Sequence, residues 1–504
     1  MPNQFCVKVG ALHDVTLANN SIFIKTHLSS SMSANETPAH ITLTLDARTK
    51  INVLDDTNLM TRFILEEQGD WFEDELPFIR RFLKPGMQAI DIGANYGCYA
   101  LSIAEAVKNN DTPEKSGNVF AFEPCGDTFT MLQSSVNLNN FKHLHLIQSG
   151  LSNQSGQATL YRSHNSELNS LQPQTKNQVA QETITLTTLD DCLKHYQWKT
   201  LDFLKLDAEG EERNILIGGK QTFTDLSPLV MFELKHGKTI NVDLINDFKT
   251  LDYQCFSLNK ALDLLLPFNP NTLDGFQLNV FACKADMAEQ LESKGLLSRH
   301  SINAPKKEFE ARKNQSNQAI YQHIIEQLKP SLLSNWASSH DTKSKLSCLQ
   351  NCQLSYLLLQ QLSASEPNNI AFKCAYTRAA LMLGKRVEAV AILRELLTLT
   401  DPSQNNNLVH IESRSAIISP IKDFDLHNES WQNDEPIDIT WLRAAILQAY
   451  IELHVLSCYF SNSKIVPILK EANQIEYSSP AMQIREDMIN ELIKQHRAKQ
   501  KNTN

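Results

Sequence analysis

Short apolar runs separated by Gly, Pro, Asn and Asp alternate with longer helical patterns through the first half of the chain. Met87 to Ile92 reads as a strand, and a helix is expected from Asn95. Strands over Asn118 to Phe122, His143 to Gln148, Leu201 to Leu206 and Leu229 to Leu234 continue the series, with a helix near Thr128 to Asn139. Strands alternating with helices predict a parallel sheet covered on both faces. Tyr253 to Leu258 and Leu278 to Cys283 have no helical pattern between them and are expected to pair antiparallel. Before this series, Ser21 to Lys25 and Ile41 to Leu45 alternate with period two and read as strands of a small cap. Asn109 to Gly117 is a polar surface insertion. Residues 162–181, rich in Ser, Asn and Gln, are expected to form a long loop over the ligand-binding edge of the sheet.

After about residue 285 the pattern becomes helical. Pro367-Asn368-Asn369 opens a helix through Ala371, Ala375, Ala379 and Leu383; Gly384-Lys385-Arg386 turns the chain, and Val387 to Leu399 forms a second helix before Asp401-Pro402. The pair resembles one tetratricopeptide repeat, with small Ala379 and Ala389 where two helices approach closely. Tyr356 to Leu362 reads as half a repeat before it. Residues 403–438 interrupt the helices, which resume at Thr440 to Phe460.

With 504 residues the chain has room for roughly two or three domains. Its net charge of −10 argues against a nucleic-acid partner, which needs a basic face for phosphates. No apolar run is long enough for a membrane span, and the N-terminal residues show no signal-peptide pattern. The ten cysteines are scattered. Cys348 and Cys352 lie one helical turn apart without a matching pair, so no metal is expected, and a reduced cytoplasmic setting is.

The densest chemistry is Asp91-Ile92-Gly93-Ala94-Asn95-Tyr96-Gly97, between the first strand and its helix. Glycines allow a sharp turn and close ligand approach, and N–H groups at the helix start face whatever sits above. Glu123, ending the second strand, can accept both ribose hydroxyls of an adenosine ligand. A dinucleotide turn would carry Gly where Asp91 stands. A carboxylate there repels a pyrophosphate but suits the ammonium of S-adenosylmethionine (SAM), which makes a nicotinamide-dependent oxidoreductase the weaker reading. Asn95 can cap the helix and bond the ligand; Ser149 and Gly150, after the third strand, would lie under the adenine edge. Asp207 and Glu209 end a buried strand, and Glu233 ends the next.

Together, Phe82 to Gly86, Asp91 to Gly97, Phe122-Glu123-Pro124, Lys205 to Glu211 and Phe232-Glu233-Leu234, with the lead-in Phe63 to Glu73, resemble the FkbM family of SAM-dependent methyltransferases over roughly residues 50–285. The resemblance implies an α/β fold with a seven-stranded Rossmann-like SAM methyltransferase sheet, here followed by an all-α, tetratricopeptide-like C-terminal domain. The expected division is a β-rich cap at 1–60, the methyltransferase domain at 61–285, a linker at 286–320 and the helical domain at 321–504. SAM would bind Asp91, Gly93, Asn95, Gly97, Glu123, Ser149 and Gly150. Asp207, Glu209 and Glu233 would face the methyl group and the acceptor, one of them taking the acceptor's proton; His164 and His236 are further candidate bases. Plainer roles compete: Asp91 and Glu123 as turn and helix caps, Glu209 as a cap on the following helix.

The resemblance implies O-methylation of a sugar, glycan or secondary metabolite, with a protein partner for the C-terminal helices. The alternative is a methyltransferase-like scaffold without activity whose helical half binds a protein.

Overall fold

The computed structural model describes residues 39–173, 178–236, 239–240, 242–270, 273, 278–302, 305–328, 341–402, 420, 439–454, 457–460, 465–475 and 477–502. The strand expected at Ser21 to Lys25 and nearly all of the break expected at 403–438 lie outside them. The description begins with an antiparallel hairpin, β1 (His40–Leu45) and β2 (Thr49–Leu54). Helices α1 (Met60–Gln68) and α2 (Glu75–Phe82) follow.

The central sheet contains β3 (Ala89–Ile92), β4 (Val119–Phe122) and β5 (Leu144–Ile147), with α3 (Cys98–Val107) and α4 (Gly126–Asn139) as crossovers. A small sheet interrupts: β6 (Gly150–Leu151), β7 (Gly156–Ser163) and β8 (Gln178–Thr187). After α5 (Leu189–Tyr196) the chain returns as β9 (Phe203–Leu206). Two short helices, α6 (Glu212–Gly218) and α7 (Lys220–Leu226), lead to β10 (Leu229–Glu233). A two-residue pair, β11 (Lys235–His236) and β12 (Thr239–Ile240), and α8 (Val242–Thr250) precede β13 (Gln254–Asn259), β14 (Leu264–Pro267) and β15 (Asn279–Cys283).

Across the sheet the order is β5-β4-β3-β9-β10-β15-β13-β14. The first five strands run parallel, and β15 and β13 pair antiparallel as expected. Those seven are the strands foreseen. An eighth, β14, is added at the edge because Leu264–Pro267 folds back on β13 as a hairpin. Side chains of the parallel strands alternate between two cores, as a sheet covered on both faces requires. Ala89, Val119, Ala121, Phe203, Leu229 and Met231 enter one; Ile90, Phe120, Phe122, Leu204, Val230 and Phe232 enter the other. The chain steps outward from β3 to β5 and then returns beside β3 as β9. That reversal opens a crevice at the C-terminal strand ends, where such sheets bind ligands.

Of the segment at 162–181 expected as a loop, the described residues 162–173 and 178–181 include strand ends and a bridge. Its ends complete the antiparallel β7–β8 pair, and its middle bends back on them through a bridge between Tyr161 and Ser170.

Helices α9 (Ala285–Ser293), α10 (Lys306–Arg312) and α11 (Asn317–Gln327) occupy much of the stretch read as a linker and its sequel. Next come α12 (Thr342–Ser365), α13 (Ile370–Met382) and α14 (Arg386–Leu399), then α15 (Ile439–His454), α16 (Ile465–Gln474) and α17 (Pro480–Asn502). The α13–α14 pair matches the two helices read from the sequence; Asn369 caps the first by accepting the Phe372 N–H at 3.1 Å. No described helix is long and apolar enough to cross a membrane.

Candidate functional site

The turn after β3 is built by local backbone geometry. Asn95 (φ 50°) and Gly97 (φ 100°) are left-handed, so α3 starts at Cys98 rather than at Asn95. Gly93 also has a left-handed φ of 76°, and a Cβ there would lie 1.9 Å from the Asp207 carbonyl oxygen. The β3 turn and the end of β9 therefore touch backbone to backbone, which only glycine permits.

Above this contact is a cavity of about 300 Å³. Its walls include Gly93, Asn95, Gly97, Glu123, Ser149, Gly150, Asp207, Glu209 and Glu233, nine of the ten residues singled out from the sequence. Asp91 does not line it. Its carboxylate is fully enclosed, and Lys205 Nζ lies 3.8 Å from it. Burial pushes its pKa up to about 6, with Lys205 opposing. The charge expected to meet the ligand directly is instead one layer behind it. His164 is not among the described lining residues either.

Glu123 faces the cavity from the end of β4. Its Oε2 accepts the Asn95 N–H at 2.8 Å and its Oε1 the Cys125 N–H at 2.9 Å. Each oxygen keeps a lone pair for a ligand hydroxyl. Burial raises its pKa to about 7 against those two backbone bonds. Asn95 in turn accepts the Ser166 hydroxyl at 2.8 Å, which ties the turn to the 166–171 segment on the opposite wall. Ser149 donates to the Thr185 carbonyl at 3.0 Å and anchors β6 to the small sheet.

At the far end, Asp207, Glu209 and Glu233 converge. Lys205 Nζ donates to Asp207 at 2.8 Å and lies 5.0 Å from the Tyr99 ring centroid. The capping role that competed for Glu209 belongs to Glu212, which accepts the Ala208 and Gly210 N–H groups at 2.9 and 3.1 Å. Glu233 makes no hydrogen bond or ion pair among the described residues; burial first, then Asp207 and Glu209, push its pKa up to about 10. Burial also raises Glu73, which accepts the Tyr99 hydroxyl.

Several wall residues escaped the sequence reading. Lys205 carried a signal, being the one charge inside the strand Phe203–Leu206. Phe460 carried none. It arrives from the helical region and packs edge-on against Phe72 at 5.5 Å, with Trp71 behind at 4.9 Å. Buried Glu67 anchors this segment by accepting the Ser457 hydroxyl and, at 3.0 Å, the Cys458 N–H, with Arg485 Nε 3.3 Å away. Tyr459 donates to the Asn58 carbonyl at 2.9 Å. Glu67→Gln, which removes the charge from this buried cluster, is expected to lower stability by about 1–3 kcal/mol in thermal and urea melts.

Residues 91–255 match the model of the methyltransferase FkbM domain. No curated protein matches the chain. Among solved structures, the FkbM methyltransferase of Methylobacillus flagellatus KT is similar at 16% identity and a TM-score of 0.27, covering 46% of this chain and 56% of that one. A putative methyltransferase from Streptococcus mutans, in complex with SAH, is similar at 13% identity over 42% of this chain and 95% of its own, TM-score 0.26. A SAM-dependent methyltransferase from Aquifex aeolicus is similar at 12% over 44% and 92%, TM-score 0.25. The aligned part thus spans little more than half of the Methylobacillus protein. The family match is confined to the methyltransferase segment and leaves the helical region outside it.

Proposed function

We propose that this chain, which carries a methyltransferase FkbM domain, is a SAM-dependent methyltransferase acting on a hydroxyl of a sugar, glycan or related metabolite. The observation that carries the reading is Glu123, a cavity-facing carboxylate at the sheet's switch point with lone pairs left for a ribose. The donor set fits the cofactor: the walls hold carboxylates and one cation, Lys205, which suits a sulfonium and an ammonium and repels a pyrophosphate. Bound SAM supplies a methyl group already activated on sulfur.

The chain's own task is to orient the acceptor, exclude water and move one proton. The acceptor oxygen forms its bond to carbon as the carbon–sulfur bond gives its electron pair to sulfur, and the hydroxyl proton passes to a carboxylate. With a pKa near 10, Glu233 is protonated at neutral pH and acts as a hydrogen-bond donor to the acceptor. That leaves Asp207 or Glu209 to receive the proton. Trp71, Phe72 and Phe460 supply an apolar wall beside them.

Calorimetry with SAM and S-adenosylhomocysteine tests this. Micromolar binding is expected, lost on Glu123→Ala. Because ribose hydroxyls donate to the ionised carboxylate, affinity should be level above pH 7 and fall roughly tenfold per unit below it, as Glu123 takes a proton. Absence of binding to the intact chain removes the enzyme reading.

A further inference from the structure

We infer that Phe460, carried into the cavity by the helical region, sets which acceptor the chain takes: with Trp71 and Phe72 it forms a platform on which the C–H face of a hydroxylated ring stacks. The inference rests on the methyltransferase reading and deepens it, because it gives acceptor choice to a residue outside the matched segment 91–255. The platform borders the reacting end of the cavity. Phe72 precedes Glu73, which accepts the Tyr99 hydroxyl. Lys205 Nζ stands 5.0 Å from the Tyr99 ring centroid and donates to Asp207 at 2.8 Å. These links lead from the aromatic wall to the carboxylate end, whereas Glu123 bonds the turn after β3.

All three rings line the cavity and are half-buried. Phe460 meets Phe72 edge-on, with an interplanar angle of 64°. In such a pair the ring that presents its edge keeps its faces free of the other. Phe460 is not what fastens its own segment. The three residues before it do that: Ser457 and Cys458 bond Glu67, and the Tyr459 hydroxyl donates to the Asn58 carbonyl while its ring packs on Phe63 at 5.6 Å. The Asn165 amide also donates to Tyr459 at 3.0 Å, beside Ser166, which bonds Asn95. The anchored backbone thus delivers the fourth side chain to the cavity wall. Carboxylates accept from hydroxyls, and an aromatic platform takes an apolar face out of water. A pyranose ring offers both, hydroxyls at its rim and C–H groups on its face; an open-chain polyol offers hydroxyls alone. The competing occupant is the SAM sulfonium, a cation that aromatic faces attract. S-adenosylhomocysteine lacks that charge, so the two nucleosides separate the cases.

The test titrates the methyl glycosides of glucose, galactose, mannose and rhamnose into the full chain by calorimetry, with and without S-adenosylhomocysteine. Glycerol is the open-chain control. At least one glycoside is expected to bind, and glycerol is not. Phe460→Ala should weaken that glycoside about fivefold or more and leave S-adenosylhomocysteine affinity within about twofold. Phe460→Tyr should restore glycoside binding. Phe460→Leu, which keeps apolar bulk without a flat face, should not. Melting temperatures check that each variant is folded. Nucleoside binding with no glycoside bound overturns the inference alone, as does glycoside binding by Phe460→Ala or Phe460→Leu equal to the parent's. Phe460→Ala that weakens SAM but spares S-adenosylhomocysteine also overturns it, and gives the ring to the sulfonium. A glycoside bound through Phe460 by a chain that binds neither nucleoside upholds the platform and removes the methyltransferase reading.

Discussion

Gly93→Ala is expected to lower stability by about 2–5 kcal/mol and to abolish SAM binding. Two effects add. At a φ of 76° an L side chain meets its own carbonyl, at about 1–2 kcal/mol. The new Cβ would also sit 1.9 Å from the Asp207 carbonyl oxygen, far inside contact distance, and the obstacle is backbone in the middle of the sheet, which cannot swing aside as a side chain can. Relieving the overlap must push the β3 turn away from the end of β9, at a further 1–3 kcal/mol or so. The same shift moves the Asn95 N–H off Glu123 and displaces Asp207 from the floor. Chemical denaturation gives the first number and calorimetry the second. Gly156→Ala is the control: a Cβ there meets nothing within 4 Å, and little change is expected. If Gly93→Ala melts and binds like the parent, the β3–β9 contact is not what shapes the site.

That contact also shows how far sequence reasoning reaches. The turn glycines and the acid ending each strand are local signals, and nine residues found that way line one cavity. The alternation of strand and helix was equally local, so the parallel half of the sheet could be read directly. Pairing over long separation could not. Nothing in Leu264–Pro267 says that it adds an eighth strand, because a four-residue apolar run has no period of its own. Asp91 was placed in contact with ligand because its position in the motif is fixed; its depth depends on Lys205, one strand away in space and 114 residues along the chain. Phe460 illustrates the limit. A lone aromatic at the end of a helical stretch is ordinary core material until the fold sets it against Phe72, and Glu67, which secures it, looks like one polar position on an amphipathic helix.

Lys205→Met is expected to destabilise the chain in a strongly pH-dependent way. The substitution keeps most of the stem's volume and removes the charge that offsets two carboxylates, Asp91 at 3.8 Å and Asp207 at 2.8 Å. Lys205 is only 4% exposed and Asp91 not at all, so water cannot replace the lost partner. Breaking a buried pair from one side costs about 3–5 kcal/mol. In the intact protein Asp91 has its pKa raised from 3.8 to about 6, while the attraction of Lys205 holds it below where burial alone would leave it. Without the lysine the folded-state value rises further. A carboxyl whose folded pKa exceeds its unfolded one binds more protons when folded, so stability falls as pH rises between the two values. In the parent that decline ends near pH 6; in Lys205→Met it continues upward, because Asp91 holds its proton to higher pH. The two proteins should therefore differ little at pH 5 and by the full amount near pH 8, as urea melts at the two pH values would show. A pH-independent loss would mean that Lys205 serves through packing on Tyr99 rather than by charge.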